Sequence, residues 1–192
     1  MRSRSASLLS LFVILGASSA FAHDVTITGT TSFAALDGSS LDHDGVANGV
    51  FTVSDGNLIV NGVVNCNDDG GSDSACSMAF AVSGNMTINS GGALYAENRT
   101  GGGSGGAITL TVGGNLALNG TALVSTASKS SSGGNGGAIA ATVGGSVALG
   151  SGSTIDAGSG NAHGGNITVQ SEPGRGTTFT VELPLEHNGG IL

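Results

Sequence analysis

The feature that most constrains the fold is a repeat of about 30 residues. The stretch AITLTVGGNLALNGTALVS from Ala107 is followed by AIAATVGGSVALGSGSTID from Ala138, and looser copies begin at Met78 and Phe51. A valine before the glycine turn marks each copy: Val53, Val82, Val112 and Val143. The spacing between successive valines is therefore nearly constant. A period of this size is typical of a solenoid, in which each unit packs on its neighbours.

Each copy contains three short segments in which apolar and polar residues alternate. In the third copy, Ile108, Leu110 and Val112 share one parity, while Thr109 and Thr111 take the other. Alternation with a period of two indicates strands, and the glycines between them supply the positive φ that tight corners need. Three strands and three corners per repeat predict an all-β fold. We expect a right-handed parallel β-helix of about four coils after a cleaved signal peptide, and a β-sandwich of short strands is the alternative.

Stacked coils would place equivalent residues in columns, with about 4.8 Å between coils. Two inward columns are predicted: Phe51/Phe80/Leu110 and Val60/Ile88/Leu118/Leu149. A polar column is predicted at the first corner: Asn57, Asn85, Asn115 and Ser146. Side-chain amides in register can hydrogen-bond along such a column.

The segment 1–22 has the three parts of an export signal. Two arginines form the basic start, residues 8–15 form the apolar centre, and Ala20-Phe21-Ala22 is a small-x-small cleavage box. Cleavage between Ala22 and His23 would leave residues 23–192. The apolar run is too short to span a bilayer. We therefore expect export to the periplasm, the cell surface or the medium, without membrane insertion.

The predicted mature chain is strongly acidic. It keeps three cations, Arg99, Lys129 and Arg175, against the 13 carboxylates of the sequence, a net charge of about −10. Such a surface repels nucleic acid and anionic lipid, so neither is expected as a partner.

Four regions are predicted along the chain: signal peptide 1–22, entry or cap 23–50, β-helix repeats 51–165, and closing strands with a free end 166–192. In the entry region, VTITGTTSF from Val25 alternates as a strand, and residues 35–49 form a polar loop or an incomplete coil. A cap is expected because an open coil exposes unpaired backbone groups and core side chains.

Cys66 and Cys76 are the two cysteines of the chain, and they bracket a loop in the first clear repeat. Export implies an oxidising compartment, so we predict that they form a disulfide. Two cysteines without nearby histidines make a poor zinc site, because zinc prefers four ligands.

The same loop contains three carboxylates: Asp68, Asp69 and Asp73. Asn65-x-Asn67-x-Asp69-Gly70 resembles the start of a calcium-binding loop, but its twelfth position is Cys76 rather than glutamate. A weak calcium site is one interpretation of this loop, and a solvated acidic corner is the other. No other cofactor is predicted.

A small charge column is also predicted. Arg99 follows Val82 at the same offset at which Lys129 follows Val112, so stacked coils would place one cation above the other. Asp69 follows its own anchor, Val53, at nearly that offset and would balance this like-charge pair. Exposed pairs of this kind contribute about 0–1 kcal/mol.

From His163 the sequence HGGNITVQSEPGRGTTFTVELPL resembles the closing segment of the ATP-binding domain of bacterial sensor histidine kinases. The matching residues are His163, Gly164, Gly165, Ile167, Val169, Ser171, Pro173, Gly174, Gly176, Thr177, Phe179, Leu183 and Pro184. In that family the segment is a terminal hairpin of an α/β sandwich, and its Gly-x-Gly-Thr turn lies near the nucleotide.

The rest of the kinase pattern is missing from the sequence: the dimerisation helix with its histidine, the magnesium-binding helix and the glycine-rich lid. Asp156-Ala-Gly158-Ser-Gly160 imitates the D-x-G-x-G box but falls in the phase of the repeat. Because a phosphate cradle needs a loop and a helix together, nucleotide binding is disfavoured. We expect Ile167 and Val169 to continue a coil, and Phe179, Val181 and Leu183 to form a closing strand.

The recurring phrase GG-x-I-x-x-x-V-GG, within residues 51–169, resembles the repeats of secreted bacterial β-helix surface proteins such as filamentous-haemagglutinin-type adhesins. That resemblance implies an exported structural or adhesive protein without catalytic activity. We expect a surface or polysaccharide ligand, whose identity the sequence does not reveal.

Two alternatives remain open: a carbohydrate-active β-helix enzyme, and a remnant of a histidine kinase ATP-binding domain. An enzyme of the first kind would have to use Glu97, Arg99, Lys129 and Asp156, which are few and poorly grouped. One tyrosine and no tryptophan are present to stack on sugar rings.

Overall fold

The computed structural model describes residues 24–32, 50–66, 75–99, 101–129, 133–171 and 178–181, and in these ranges the chain is all-β without a helix. The strands follow in chain order: β1 (Val25–Ile27), β2 (Thr30–Ser32), β3 (Val50–Val53), β4 (Leu58–Val60), β5 (Val63–Asn65), β6 (Met78–Val82), β7 (Met86–Ile88), β8 (Ala93–Tyr95), β9 (Ile108–Val112), β10 (Leu116–Leu118), β11 (Leu123–Ser125), β12 (Ile139–Val143), β13 (Val147–Leu149), β14 (Thr154–Asp156), β15 (Ile167–Ser171) and β16 (Thr178–Val181).

Every third strand pairs in parallel with its equivalent in the next repeat, which gives three sheets. Sheet A has the order β1-β4-β7-β10-β13, sheet B has β14-β11-β8-β5-β2, and sheet C has β16-β15-β12-β9-β6-β3. Coils 1 to 4 are β3–β5, β6–β8, β9–β11 and β12–β14. The chain is therefore a parallel β-solenoid of about four turns with about 30 residues per turn, as the repeat predicted.

The anchor valines lie next to one another in sheet C. Val53 pairs with Val82, Val82 with Val112, and Val112 with Val143, and Ser171 of β15 continues the column. All four valines are buried. This register confirms the period that was derived from the sequence.

The two predicted apolar columns are confirmed in register. Phe51 pairs with Phe80, and their rings pack edge-to-face with centroids 6.0 Å apart. In the other column Leu118 is fully buried, whereas Leu149, its partner on β13, is 51% exposed. The expectation that Leu149 is a core residue is wrong, because β13 is the last strand of sheet A in the described chain.

The entry segment differs from the single strand that its alternation predicted. β1 and β2 belong to different sheets, and a corner at Gly29 with a φ of 74° separates them. β1 pairs with β4 and β2 with β5, so the two strands form part of a further coil, coil 0. A Cβ atom on Gly62 would lie 1.9 Å from the carbonyl oxygen of Gly29, so this corner needs glycine there.

At the other end, β15 continues the solenoid by pairing in parallel with β12. β16 then returns antiparallel on the outer edge of β15, with Phe179 opposite Val169 and Val181 opposite Ile167. The closing strand predicted around Phe179 and Val181 is present, and Leu183 lies outside the described residues.

The predicted polar column at the first corner is present, but it bonds differently from the prediction. Asn57 Oδ1 accepts a hydrogen bond from the backbone N–H of Asn85 at 2.7 Å, and Asn85 Oδ1 accepts from Asn115 at 2.8 Å. Asn115 Oδ1 accepts from Ser146 N–H at 2.8 Å, and Asp24 begins the column by accepting from Asn57 at 3.0 Å. Each side chain thus satisfies a backbone donor of the next coil.

An amide-to-amide ladder lies instead at the second corner. Asn89 Nδ2 donates to Asn61 Oδ1 at 2.8 Å, and Asn119 Nδ2 donates to Asn89 Oδ1 at 3.0 Å. This ladder was not predicted, although an asparagine follows the second strand of three successive copies.

We predict that Leu118→Ala lowers the free energy of unfolding by about 2–5 kcal/mol, because it leaves a cavity in the middle of a buried column. Leu149→Ala removes the same atoms from the exposed end of that column and is the matched control. Leu149→Ala should lower the free energy of unfolding by well below half as much as Leu118→Ala. Urea unfolding of both variants measures this difference, and equal costs would contradict the register.

Candidate functional site

Polar side chains are concentrated inside the third corner, where sheet B leads into sheet C. The buried polar residues of this corner are Glu97, Asn98, Ser125, Thr126 and Ser128. Tyr95 on β8 pairs with Ser125 on β11, so the segments that follow these two strands run side by side. The parallel bridge between Asn98 and Ser128 continues that register into the corner. Stacking therefore brings residues of coils 2 and 3 into direct contact.

Glu97 is the centre of this cluster, and its side chain is 0% exposed. Its Oε1 atom accepts a hydrogen bond from Ser125 Oγ at 2.6 Å and lies 2.7 Å from Lys129 Nζ. Its Oε2 atom accepts from Arg99 Nε at 3.0 Å. Arg99 belongs to the same coil as Glu97, whereas Ser125 and Lys129 belong to the next one. We call these four residues the Glu97 clamp, because the carboxylate ties two coils together.

The two cations of the clamp reach the carboxylate from the surface. The side chains of Arg99 and Lys129 are 41% and 52% exposed. Their long apolar stems allow the charged ends to remain in contact with water while they pair with a buried group. The Arg99 guanidinium carbon also lies 5.1 Å from the centroid of the Tyr95 ring, within the range of a cation–π contact.

The electrostatics of the clamp keep Glu97 ionised. Burial raises the pKa of Glu97, but hydrogen bonds from Lys129, Ser125 and Arg99 and the charge of Lys129 outweigh it, so the pKa lies below its ordinary value. A carboxylate with a lowered pKa is a weak base and holds no proton to donate near neutral pH. The clamp therefore suits structural pairing better than general acid–base chemistry.

In the structure, Glu97 supplies a counter-charge to the two cations of the predicted charge column. Arg99 and Lys129 do come from successive coils, and both contact Glu97. Asp69, which was expected to offset them, lies outside the described residues, so that prediction stays untested. The signal that could have identified Glu97 is its position two residues before Arg99, at the same corner.

Asp156, the remaining residue proposed for a carbohydrate-active site, lies one coil beyond Ser125 of the Glu97 clamp. It lies on β14 in register with Ser125, and its Oδ1 atom accepts a hydrogen bond from Gly158 N–H at 2.8 Å. The imitation of the D-x-G-x-G box therefore follows a strand and corner of the solenoid. Similarly, Ile167 and Val169 of the kinase-like segment lie on β15, whereas Gly174, Gly176 and Thr177 lie outside the described residues.

The predicted disulfide is present between Cys66 and Cys76, whose Cα atoms lie 5.4 Å apart. Cys66 N–H donates to Tyr95 O at 2.7 Å, so the bridge lies at the third corner, one coil before the Glu97 clamp. Closing a loop of this length stabilises a fold by about 2–3 kcal/mol on the chain-entropy model.

Several predicted site residues lie outside the described residues: Asp68, Asp69 and Asp73 of the calcium hypothesis, and Ala22 and His23 of the cleavage site. Within the described ranges, no group of three or more His, Cys, Asp and Glu side chains is placed to hold a metal ion. The calcium hypothesis therefore stays a prediction about residues 67–74.

No protein-family model, curated protein or solved structure matches this chain. In the part of the chain that the structure describes, none of the segments is a helix with the length and apolar character needed to cross a membrane.

We predict that Glu97→Gln lowers the free energy of unfolding at neutral pH by about 1–3 kcal/mol, because it removes a buried charge that three donors satisfy. The folded-state pKa of Glu97 is lowered, so its stabilisation is present above the unfolded-state pKa of about 4.3 and is lost as the pH falls through the folded value. The difference between wild type and variant should therefore shrink in acid.

Urea unfolding at neutral pH and at about pH 3 measures both effects. Asp156→Asn is the matched control at neutral pH, because asparagine keeps an acceptor for Gly158 N–H, and its cost should stay within about 0.5 kcal/mol. A difference for Glu97→Gln that stays constant or grows in acid would contradict the clamp.

Proposed function

We propose that this chain is an exported structural or adhesive β-helix protein that binds a surface or polysaccharide and does not catalyse a reaction. The observation that carries the proposal is the pair of salt bridges that Glu97 forms with Arg99 and Lys129. These charged residues of the third corner are joined to one another across two coils. The groups that could have formed a catalytic cluster are committed to holding the stack together.

The outer wall of sheet C supports a role in broad surface contact. One outward column runs through Thr52, Ala81, Thr111, Thr142 and Gln170. A second outward column also lacks charged residues: Val50, Ala79, Thr109, Ala140 and Thr168. Short uncharged side chains on regularly spaced strands give a flat wall. Such a wall suits contact with an extended polymer or surface better than enclosure of a small molecule.

Export is supported by the disulfide and by the predicted signal. Disulfides persist in oxidising compartments and are rare in the cytosol, and the Cys66–Cys76 bridge closes a corner of coil 1. The basic start, apolar centre and cleavage box of residues 1–22 are the parts of a secretory leader.

We predict that expression of the full chain in a bacterial host with a secretion pathway yields a protein that begins at His23 and contains the Cys66–Cys76 bridge. N-terminal sequencing and mass spectrometry with and without reductant measure both features. Ala22→Arg is the control, because a large side chain in the cleavage box should block processing. An unprocessed cytoplasmic chain with two free thiols would contradict export.

The adhesive role is tested by incubating the mature protein with neutral and acidic polysaccharides, with and without calcium, and with bacterial and host cell surfaces. We expect retention on at least one of these without any chemical product. Release of unsaturated or reducing sugars that Glu97→Gln abolishes would overturn the proposal in favour of a carbohydrate-active enzyme. ATP binding of micromolar strength would favour the kinase remnant instead.

A further inference from the structure

The two ends of the solenoid carry complementary sets of strands. Before coil 1 the described chain supplies one sheet A strand and one sheet B strand, β1 and β2. After coil 4 it supplies the sheet C strand β15, and within the described ranges β13 and β14 are the last strands of sheets A and B. A second copy stacked on this end in register would place its β1 on β13 and its β2 on β14. β15 would then fill the sheet C position next to the second copy's β3.

Side-chain columns would also continue across such a junction. The column Ile27/Val60/Ile88/Leu118/Leu149 starts on β1 and ends at Leu149, which is 51% exposed. Ile27 of a second copy would cover Leu149. The first-corner column starts at Asp24 and ends at Ser146, so the Ser146 of one copy would lie beside the Asp24 of the next.

β16 occupies the sheet C position that this stacking requires. It is the outermost strand of sheet C, and Phe179 is the register partner of Val169. One column of sheet C runs from Phe51 through Phe80 and Leu110 to Val169. In a stacked pair, the second copy's Phe51 would therefore lie opposite Val169, the residue that Phe179 faces in the single chain. β16 has the sequence TFTV and β3 has the sequence VFTV. Because β16 runs antiparallel, Phe179 and Thr178 lie opposite Val169 and Gln170. These are the residues that the second copy's Phe51 and Thr52 would face.

We propose that β16 is an internal mimic of β3 that blocks head-to-tail assembly, and that its release exposes an end that binds the N-terminal end of a second copy. The interface is heterologous, so it leaves a further free end and produces filaments rather than closed dimers. Among the described strands β16 pairs only with β15, and such peripheral elements open at lower free energy than the core. This device goes beyond the proposed binding function and does not depend on the identity of the ligand.

The experiment uses proline to release β16 in the full chain. In a parallel ladder, successive residues of a strand direct their backbone N–H and C=O groups to opposite edges. Asn166 faces β12, because its carbonyl oxygen accepts a hydrogen bond from Ile139 N–H. Val169, three positions later, therefore directs its backbone groups away from β12 and towards Phe179. Phe179→Pro removes a donor that faces β15. Thr180→Pro is the matched control, because its N–H faces away from β15 and an edge strand tolerates proline there. Val181→Pro, at the last pair of the strand, is a second and milder release.

We expect wild type and Thr180→Pro to remain monomeric over a wide concentration range in sedimentation velocity. Phe179→Pro should form species of twice the monomer mass and larger, and Val181→Pro should do so to a smaller extent. Electron microscopy should show unbranched filaments. A further change tests the surface. Val25 N–H donates to Asn57 O and Ile27 O accepts from Asn61 N–H, so the backbone groups of Thr26 face the other edge of β1, where the described ranges place no strand. Thr26→Pro should therefore return Phe179→Pro to a monomer.

Three results would overturn the inference. Wild type that already assembles through these ends would show that β16 does not block them. Assembly of Phe179→Pro that persists with Thr26→Pro would show that another surface is used. Both release variants remaining monomeric, with β-rich circular dichroism and lost amide protection in β16, would show that the exposed end does not bind a second copy.

Discussion

The constraint on which the rest of this structure depends is the close vertical contact between coils, which holds at the corners as well as in the strands. Parallel strands stack at about 4.8 Å, and the chain must keep that spacing where it turns. At the third corner a Cβ atom on Gly137 would lie 2.0 Å from Gly106 O, and one on Gly165 would lie 1.9 Å from Gly137 O. Glycine at these positions lets one backbone rest directly on the next. The glycine richness of the chain is in this part a packing requirement rather than a sign of disorder.

Because the coils keep that spacing, each residue of a column contacts the equivalent residue of the neighbouring coil. Polar residues can therefore hydrogen-bond to the residue at the same position in the next coil. Asparagine carbonyls accept backbone donors at the first corner, and amides join to amides at the second. At the third corner the same principle works with charge, since Glu97 bonds to Arg99 in its own coil and to Lys129 in the next. Breaking a buried pair of this kind leaves an uncompensated charge, so the clamp penalises a shifted register.

Much of the fold could be predicted because its signals are local and repeat. Alternation with a period of two identified the strands, and the spacing of Val53, Val82, Val112 and Val143 gave the register between them. The single strand predicted for the entry segment was wrong because the alternation runs through the corner at Gly29, where the chain passes from one sheet to another. The exposure of Leu149 likewise depends on whether another strand of sheet A covers β13. The position of Leu149 in a column of apolar residues does not determine this.

The Glu97 clamp could not be predicted in the same way, because corner residues do not follow the strand alternation. Glu97 and Lys129 lie in different repeats. The position of Glu97 two residues before Arg99 marks it as a neighbouring carboxylate, but it does not show that the side chain turns inward to meet Lys129. Asp69 was the nearest carboxylate by offset counting, yet the carboxylate that the described structure places on both cations is Glu97. That assignment makes the cluster a contact that joins two coils.

The most direct test of the stacked register is a distance measured along one outer column. Thr52 and Gln170 are exposed and stand four coil steps apart in sheet C. Spin labels at these two positions should give a single narrow distance distribution by pulsed electron resonance, centred near about 19 Å apart from the label linkers, which is four steps of about 4.8 Å. A broad distribution, or a maximum far from this value, would contradict the solenoid register and the account that rests on it.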